Sequence, residues 1–586
     1  MNTRKRFSVT EVLTQVLDES DIEEDVSEIE DHIEVHNEDD LDYHPGSEKE
    51  DEDEDEDEDE EEIDPPVPPI VSPIAPVPPI VSQPQAMTLL SKNKTLTWSV
   101  SPPVQQGRLG AANVIRMIPG PTRYAVSRVQ DIKSTFELFI TPAIQNIILQ
   151  MTNLEGSRVY GDSWEVLDLT HLQAYIGLLI LAGVYKSKGE ATESLWGADT
   201  GRAIFPATMP LKSFHVLSRV IRFDNRETRQ GRRELDKLAA IRDVWDKWVQ
   251  QLPLLYNPGP NMTVDECLVA FRGRCPFRQY IPSKPAKYGI KIWAACDAES
   301  SYAWNMQVYT GKSQGGAPEK NQGKRVVLDM AKGLSGHNIA CDNFFKSYAL
   351  GEELLKRKVT MLGTVRKNKP ELPPELVAKE KREVASSKFA FTDKATLVSY
   401  CPKKRTIVVL MSTMHKDAVL STREDKKPQM ILDYNATKGG VDNLDKVTAT
   451  YSCRRKTARW PLVIFFNIID VSAYNGFVLW REINPDWNGA KLNKRRIFLD
   501  ELGHALVRPQ IERRRRLPKA SAAAAAVVKD IQSEASTPPV GQTGKKRARC
   551  QVCPYRNDSK ISNTCVKCKK FVCKQHACIV CTSCLE

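Results

Sequence analysis

The chain has 586 residues, enough for several domains with substantial cores, and a formal net charge of +8. Residues 1–64 carry 30 acidic side chains against four basic ones, a net of −26, so the other 522 residues carry about +34. That is the footprint of a nucleic-acid binder, with a merely soluble basic surface as the plainer alternative.

No membrane span is expected: the most apolar stretch, 461–480, holds Asn467, Asp470 and Asn475 and reads as a buried core helix. No apolar run follows the basic residues of 1–10, which argues against a secretory signal. The first 120 or so residues should be largely disordered, because 50–62 is unbroken acid and VPPIVS occurs at both 67–72 and 77–82 in proline-rich sequence. Such sequence buries too little apolar surface to offset its ordering entropy. The proline tract suits a stiff spacer, and the acidic tract either a solubilising tail or a screen for the basic body.

From about Val126 the pattern turns helical. Thr170 and Gln173 make a capping box before the apolar stretch 172–181, with Gly183 at the helix end. Leu211, Phe214, Leu217 and Ile221 recur at helical spacing, as do Ile241, Val244, Trp245, Trp248 and Val249, and both sets read as core stripes. After Pro260, residues 262–271, 289–297 and 302–309 read as three consecutive strands. A helix at 322–332, a strand at 337–342, a helix at 347–358 and a strand at 360–366 follow. This approximates the ββββαβα order of an RNase H-like core, with one helix before the fourth strand. Residues 367–430 look like an insertion with strand-like runs at 388–400 and 405–411. Helical sequence resumes at Gly440 and ends near Gly503, before an alanine-rich basic linker with Arg513–Arg516 and Lys545–Arg549.

Three acidic positions stand out. Asp265 lies inside the first core strand, Asp342 ends the fourth, and Asp442 and Asp445 open a helix in GGVDNLD at a spacing that puts both on one face. Carboxylates so placed can converge on two hard cations about 4 Å apart, the arrangement that activates an attacking oxygen and stabilises a leaving oxygen of a phosphodiester. An Asp at a strand end is more often a turn residue, and Asp297 has a similar context.

Eight of the 14 cysteines lie in the last 37 residues. The pairs Cys550/Cys553, Cys565/Cys568, Cys573/His576 and Cys581/Cys584 suit two tetrahedral zinc sites in a reducing compartment. Spacing alone allows sequential or interleaved pairing, and Cys578 stands outside the pattern as a spare thiol. A module of this size has too little core to fold without metal.

The segments MTVDECLVAFRGRCPFRQYIPSKPAKYGIKIW, IACDNFF and YNATKGGVDNLDKVTATYSCRRKTARWP resemble the signature blocks of the piggyBac transposase family, in that family's order. The resemblance runs from about residue 125 to the C-terminus. It implies a multidomain α+β protein: an RNase H-like mixed α/β catalytic core with an inserted β-containing domain, a flanking helical dimerisation and DNA-binding domain, a small C-terminal zinc-binding domain and a disordered acidic N-terminus. The corresponding bounds are a tail at 1–124, the helical domain at 125–258 and 458–510, the core at 259–366 and 431–457, the insertion at 367–430, a basic linker at 511–546 and the cysteine-rich module at 547–586.

By the same resemblance Asp265, Asp342 and Asp442 form the catalytic triad for two Mg²⁺ (or Mn²⁺) ions, and Asp445 supports them. The module would hold two structural Zn²⁺ in a cross-brace, first pair with third and second with fourth. The implied activity is cutting at transposon ends through hairpin intermediates and insertion at TTAA. Its partners would be double-stranded terminal-repeat DNA and a second copy of the chain.

Arg272, Arg274, Lys284, Lys287, Arg454, Arg455, Lys456 and Arg459 are candidate phosphate contacts, and Trp460 either stacks on an unpaired base or packs beside Pro461. The cluster Lys545–Arg549 also reads as a nuclear-import signal. Two other readings compete: a domesticated DNA-binding relative without transposition activity, and a RING-like protein-interaction tail. The short gap between the second and third ligand pairs counts against the last.

Overall fold

The computed structural model describes residues 87–103, 114–311, 319–519, 521–536, 548–553, 560–561 and 571–576. The acidic run and both VPPIVS copies lie outside these residues. The helical part contains α1 (Pro142–Tyr160), α2 (Leu169–Val184) and α3 (Arg242–Leu255).

Helix α2 starts earlier than its capping-box pattern predicts. Its N-cap is Asp168, which accepts the His171 N–H at 2.9 Å and also pairs with Arg513 from far along the chain. Asp, like Thr, is a favoured capping residue. Gly183 does not end the helix but lies inside it. A Cβ there would stand 2.4 Å from the Tyr451 carbonyl, so the glycine admits a close backbone approach. On α3 the expected stripe holds: Val244, Trp245 and Trp248 are buried, and Trp248 Nε1 donates to Ser472 at 2.9 Å.

The strands are β1 (Thr88–Leu90), β2 (Thr97–Ser99), β3 (Asn261–Ala270), β4 (Arg278–Tyr280), β5 (Tyr288–Asp297), β6 (Ala303–Val308), β7 (Asn338–Cys341), β8 (Thr360–Thr364), β9 (Ser387–Phe391), β10 (Thr396–Lys403) and β11 (Thr406–Ser412). They form one eleven-stranded sheet in the order β1-β2-β9-β10-β11-β8-β7-β3-β5-β4, with β6 also on the outer edge of β5. At its centre β5 runs antiparallel to both β3 and β6, whereas β7 is parallel to β3 and β8 parallel to β7. The parallel steps are made through α4 (Gln322–Met330), between β6 and β7, and α5 (Tyr348–Lys356), between β7 and β8. These crossovers are what parallel pairing requires.

Two features differ from expectation. The inserted segment builds no sheet of its own: β11 pairs antiparallel with β8, so the insertion continues the core sheet. The run 388–400 divides into two antiparallel strands around a turn at 392–395. Secondly, β1 and β2 fold inside the stretch expected to be disordered. Trp98, wholly buried, donates to the Glu371 carbonyl at 3.1 Å and meets Tyr348 edge-on, while Ser99 pairs with Phe391 of β9. Lys92 N–H and Asn93 N–H also donate to the Leu372 and Pro370 carbonyls, at 3.0 and 3.1 Å, so a buried aromatic and main-chain bonds together anchor the hairpin on the sheet edge.

After β11 come α6 (Gln429–Thr437), α7 (Gly440–Thr450), α8 (Trp460–Ile483), α9 (Lys494–Glu512) and α10 (Ala522–Ser536). Helix α8 is long and apolar enough to cross a membrane by length and composition, yet almost all of it is buried inside the fold. Two of its polar residues dock other elements: Asn475 exchanges both hydrogen bonds with the Ala303 backbone (3.0 and 2.9 Å), and Ser472 receives Trp248. It joins the helical part to the sheet.

Candidate active site and metal cluster

The acidic residues gather where β3, β7 and α7 meet. Val264 of β3 lies opposite Cys341 of β7, so Asp265 and Asp342 are the next residues along two parallel neighbours. Asp265 accepts the Glu266 N–H at 2.9 Å, and Asp342 the Phe344 N–H at 2.9 Å. Both side chains are largely removed from water. Burial first, then the negative charges of Glu266 and Asp342, pushes the Asp265 carboxyl far above the usual carboxylate range. Burial and Glu266 likewise raise Asp342, with Arg366 and Lys291 pulling the other way.

Helix α7 brings the second acidic pair. It lies close on β3 because Gly440 has no side chain: a Cβ there would stand 2.6 Å from Thr263 Oγ1, which donates to the Thr437 carbonyl at 2.6 Å. Asp445 faces the Cys267 thiol, which shares a strand face with Asp265, and burial raises its carboxyl. Asp442 is mostly exposed. The oxygens of Asp265, Asp342 and Asp442 do not all come within 4.8 Å of one another.

Lys284 links β3 to α7. Its Nζ donates to the Glu266 carbonyl at 2.9 Å and lies 3.7 Å from Asp442 Oδ1. Burial works against its charge, but Asp265, Glu266, Asp445 and Asp442 more than offset this, and its pKa is raised. Asp297, the alternative acidic candidate, spends its oxygens on a turn: it accepts Gly259 N–H, Ser300 N–H and Ser300 Oγ–H, each at 2.7 Å.

Three further charged residues neighbour these acids. Glu266 adds its field to both strand acids. Lys291 lies 4.2 Å above the Trp293 ring. Lys346 is wholly buried, and burial pushes its ammonium down to about 8 despite Cys341 and Asp342. The doublet Asp265-Glu266 was a visible signal; nothing local marked the two lysines as buried.

The basic candidates divide. Arg272, Arg274, Lys287 and Lys456 are exposed. Arg454 is half-buried, with Asp470 supporting its charge. Arg455 donates to the Ser187 and Glu190 carbonyls, at 2.6 and 2.7 Å. Arg459 donates to the carbonyls of Ser218 (3.1 Å), Arg219 (3.2 Å) and Ile221. Both guanidiniums are therefore fasteners inside the protein, not outward phosphate contacts. Trp460 packs edge-on against Phe277 at 5.0 Å, the packing alternative of the two expected.

At the C-terminus the structure unites the first and third ligand pairs. Cys550, Cys553, Cys573 and His576 hold all four ligand atoms within 4.8 Å of one another. His576 Nδ1 lies 3.8, 3.4 and 3.2 Å from the sulfurs of Cys550, Cys553 and Cys573, and the Cys553 and Cys573 sulfurs are 3.7 Å apart. Tetrahedral zinc, with bonds of about 2.3 Å to sulfur and 2.0 Å to nitrogen, spaces its ligands by about 3.5–3.8 Å. The cluster fits that ion. Cys565, Cys568, Cys578, Cys581 and Cys584 lie outside the described residues.

The profile of the Transposase IS4 family matches residues 132–477. Two human relatives are similar: piggyBac transposable element-derived protein 3 is 24% identical over 364 residues, and piggyBac transposable element-derived protein 2 is 23% identical over 398. The matches cover 58% and 60% of this chain but only 60% and 63% of those relatives. Among solved structures, the piggyBac transposase synaptic complex with hairpin DNA is similar with a TM-score of 0.66 and 34% identity, over 80% of this chain and all of that one.

Proposed function

This chain belongs to the piggyBac type of the Transposase IS4 family, and on that footing we propose that it is a DNA transposase that excises and inserts DNA at TTAA sites. The observation that carries the reading is the placement of Asp265 and Asp342 side by side on adjacent parallel strands, with Lys284 linking the Glu266 carbonyl of β3 to Asp442 of α7. The central strand order, with three antiparallel strands followed by two parallel ones on the other side of the first, supports an RNase H-like catalytic core.

The donor set fits divalent metal. Its oxygens are hard, and at Asp265 and Asp342 burial and neighbouring negative charge disfavour the ionised form, which a bound cation would favour. Asp265, Asp342 and Asp442 would hold Mg²⁺ or Mn²⁺, with Asp445 in support; when bound, such ions activate an attacking oxygen and stabilise the departing one. The protein's own residues supply placement. Strands β3 and β7 hold two carboxylates side by side, and Gly440 lets α7 carry its pair to them. Arg272, Arg274 and Lys287 offer exposed charge to the DNA backbone.

We assign the helical parts, 125–258 and 458–510, to dimerisation and DNA binding, with terminal-repeat DNA and a second copy as partners and the nucleus as location. The cysteine-rich tail would add two zinc ions and end recognition, beginning with the cluster of Cys550, Cys553, Cys573 and His576. The names of the human relatives as element-derived proteins favour one second reading: a DNA-binding protein that no longer transposes.

The deciding experiment pairs the full chain with a donor plasmid carrying the terminal repeats that flank its own gene. Excision that restores TTAA, and is lost in Asp265→Asn and Asp342→Asn, is the expected result. Binding to those ends without excision would instead leave the second reading.

A further inference from the structure

Lys284 and Lys287 belong to one tight turn between β4 and β5, yet they point to different places. The turn is closed by Ile281 N–H on the Lys287 carbonyl (2.7 Å), Lys284 N–H on the Ile281 carbonyl (3.2 Å) and Lys287 N–H on the Lys284 carbonyl (3.0 Å). Lys287 takes the left-handed conformation, with φ of 54°, and its side chain is exposed. The Lys284 side chain is only 17% exposed and runs inward to the acids. One ammonium hydrogen is taken by the Glu266 carbonyl, and the Asp442 carboxylate lies 3.7 Å away. Its surroundings include Asp265 and Glu266 from β3 and Asp442 and Asp445 from α7.

The ammonium thus ties β3, through the Glu266 carbonyl, to α7, through Asp442, and it tempers the repulsion among the acids these two elements carry. Resting on the metal-ion reading above, we propose that Lys284 is a positioning residue whose ammonium is a built-in counter-cation: it holds the α7 acids against the β3 acids before divalent ions bind, and it gives way when they do. A divalent ion on Asp442 would sit about 2.0–2.2 Å from its oxygens, closer than the ammonium at 3.7 Å, and would compete with it for that carboxylate.

The wild-type full chain can be tested directly. Lysine acetylation by an amine-reactive ester, read residue by residue by mass spectrometry, is compared in EDTA and in Mn²⁺, with exposed Lys287 as the reference. Labelling of Lys284 relative to Lys287 should rise at least about threefold in Mn²⁺, since the contact that shields it is replaced. In parallel, Lys284→Met should bind Mn²⁺ more tightly than wild type in titration calorimetry, by on the order of fivefold, and melt at lower temperature in EDTA.

An unchanged labelling ratio in a chain that binds Mn²⁺ through its acids would overturn the counter-cation role and leave the metal reading standing. Mn²⁺ heats that are absent, or a Mn²⁺-induced change in Lys284 labelling that persists when both Asp265 and Asp342 are changed to Asn, would overturn both. Should Lys284→Met fail to fold, the labelling of the unmodified chain decides alone.

Discussion

Replacing Arg459 with Met should destabilise the protein without removing a DNA contact. The three carbonyls that receive the guanidinium, those of Ser218, Arg219 and Ile221, are at the C-terminal end of the helix Leu211–Val220. There the backbone has no further intrahelical donors, and the helix dipole is negative, so a cation is the natural cap. A hydrogen bond to a charged group contributes about 1.5–3 kcal/mol, which for three bonds gives an upper range of about 4.5–9. Water can reach part of this helix end, so a net loss of about 3–5 kcal/mol is expected. Urea unfolding followed by tryptophan fluorescence would measure it. The folded variant at low temperature should keep the wild-type dependence of DNA affinity on salt, whereas a lost phosphate contact would reduce the logarithmic slope by about 0.9. An unchanged urea midpoint together with a slope reduced by that amount would refute the assignment of Arg459 as an internal fastener.

Three further outcomes are expected. Burial raises Asp470 to about 6, although Cys453 N–H and Ser452 Oγ–H both donate to it. A carboxyl raised in the fold stabilises at acid pH and loses that contribution as pH rises through about 6. Asp470→Asn should therefore remove on the order of 2–3 kcal/mol of pH-dependent stability between pH 4 and 7; an unchanged pH–stability curve would contradict this. Trp98→Ala should cost about 3–5 kcal/mol locally, read as faster amide exchange in β9 with little change in β3 and β5. Cys573→Ser, or treatment with a zinc chelator, should release zinc by atomic absorption and expose the segment after residue 548 to protease, while the unfolding transition of the core stays in place.

Much of the site could be read along the chain. The alternating run around Asp265 and the short apolar run ending at Asp342 both specify strands, and each acid stands at the predicted place. The spacing of Asp442 and Asp445 specified one helix face, although the structure exposes one and buries the other. The paired cysteines and His576 declared a metal module from ligand type and interval alone, but not which pairs join. Elsewhere local pattern misled: Thr170 has good capping chemistry, yet Asp168, also a favoured capping residue, accepts the His171 N–H and caps α2 two residues earlier. The acid- and proline-rich composition of the first hundred residues hid a hairpin anchored by Trp98 and by main-chain bonds to residues 370–372.

The sequence by itself determined which elements form, the order of the acids and the ligand pairs, because periodicity and ligand spacing are properties of neighbouring residues. Tertiary structure alone decided where each charge points. In sequence, Lys284, Arg455 and Arg459 are three similar cations near acidic motifs. In the fold, one lies against the Glu266 carbonyl and Asp442, and the others bind carbonyls more than 200 residues away. The same holds for Asp265 and Asp297: backbone and serine donors saturate Asp297, while Asp265 is left among other negative charges. Solvation and charge pairing depend on which distant segments meet, and no local spacing carries that information.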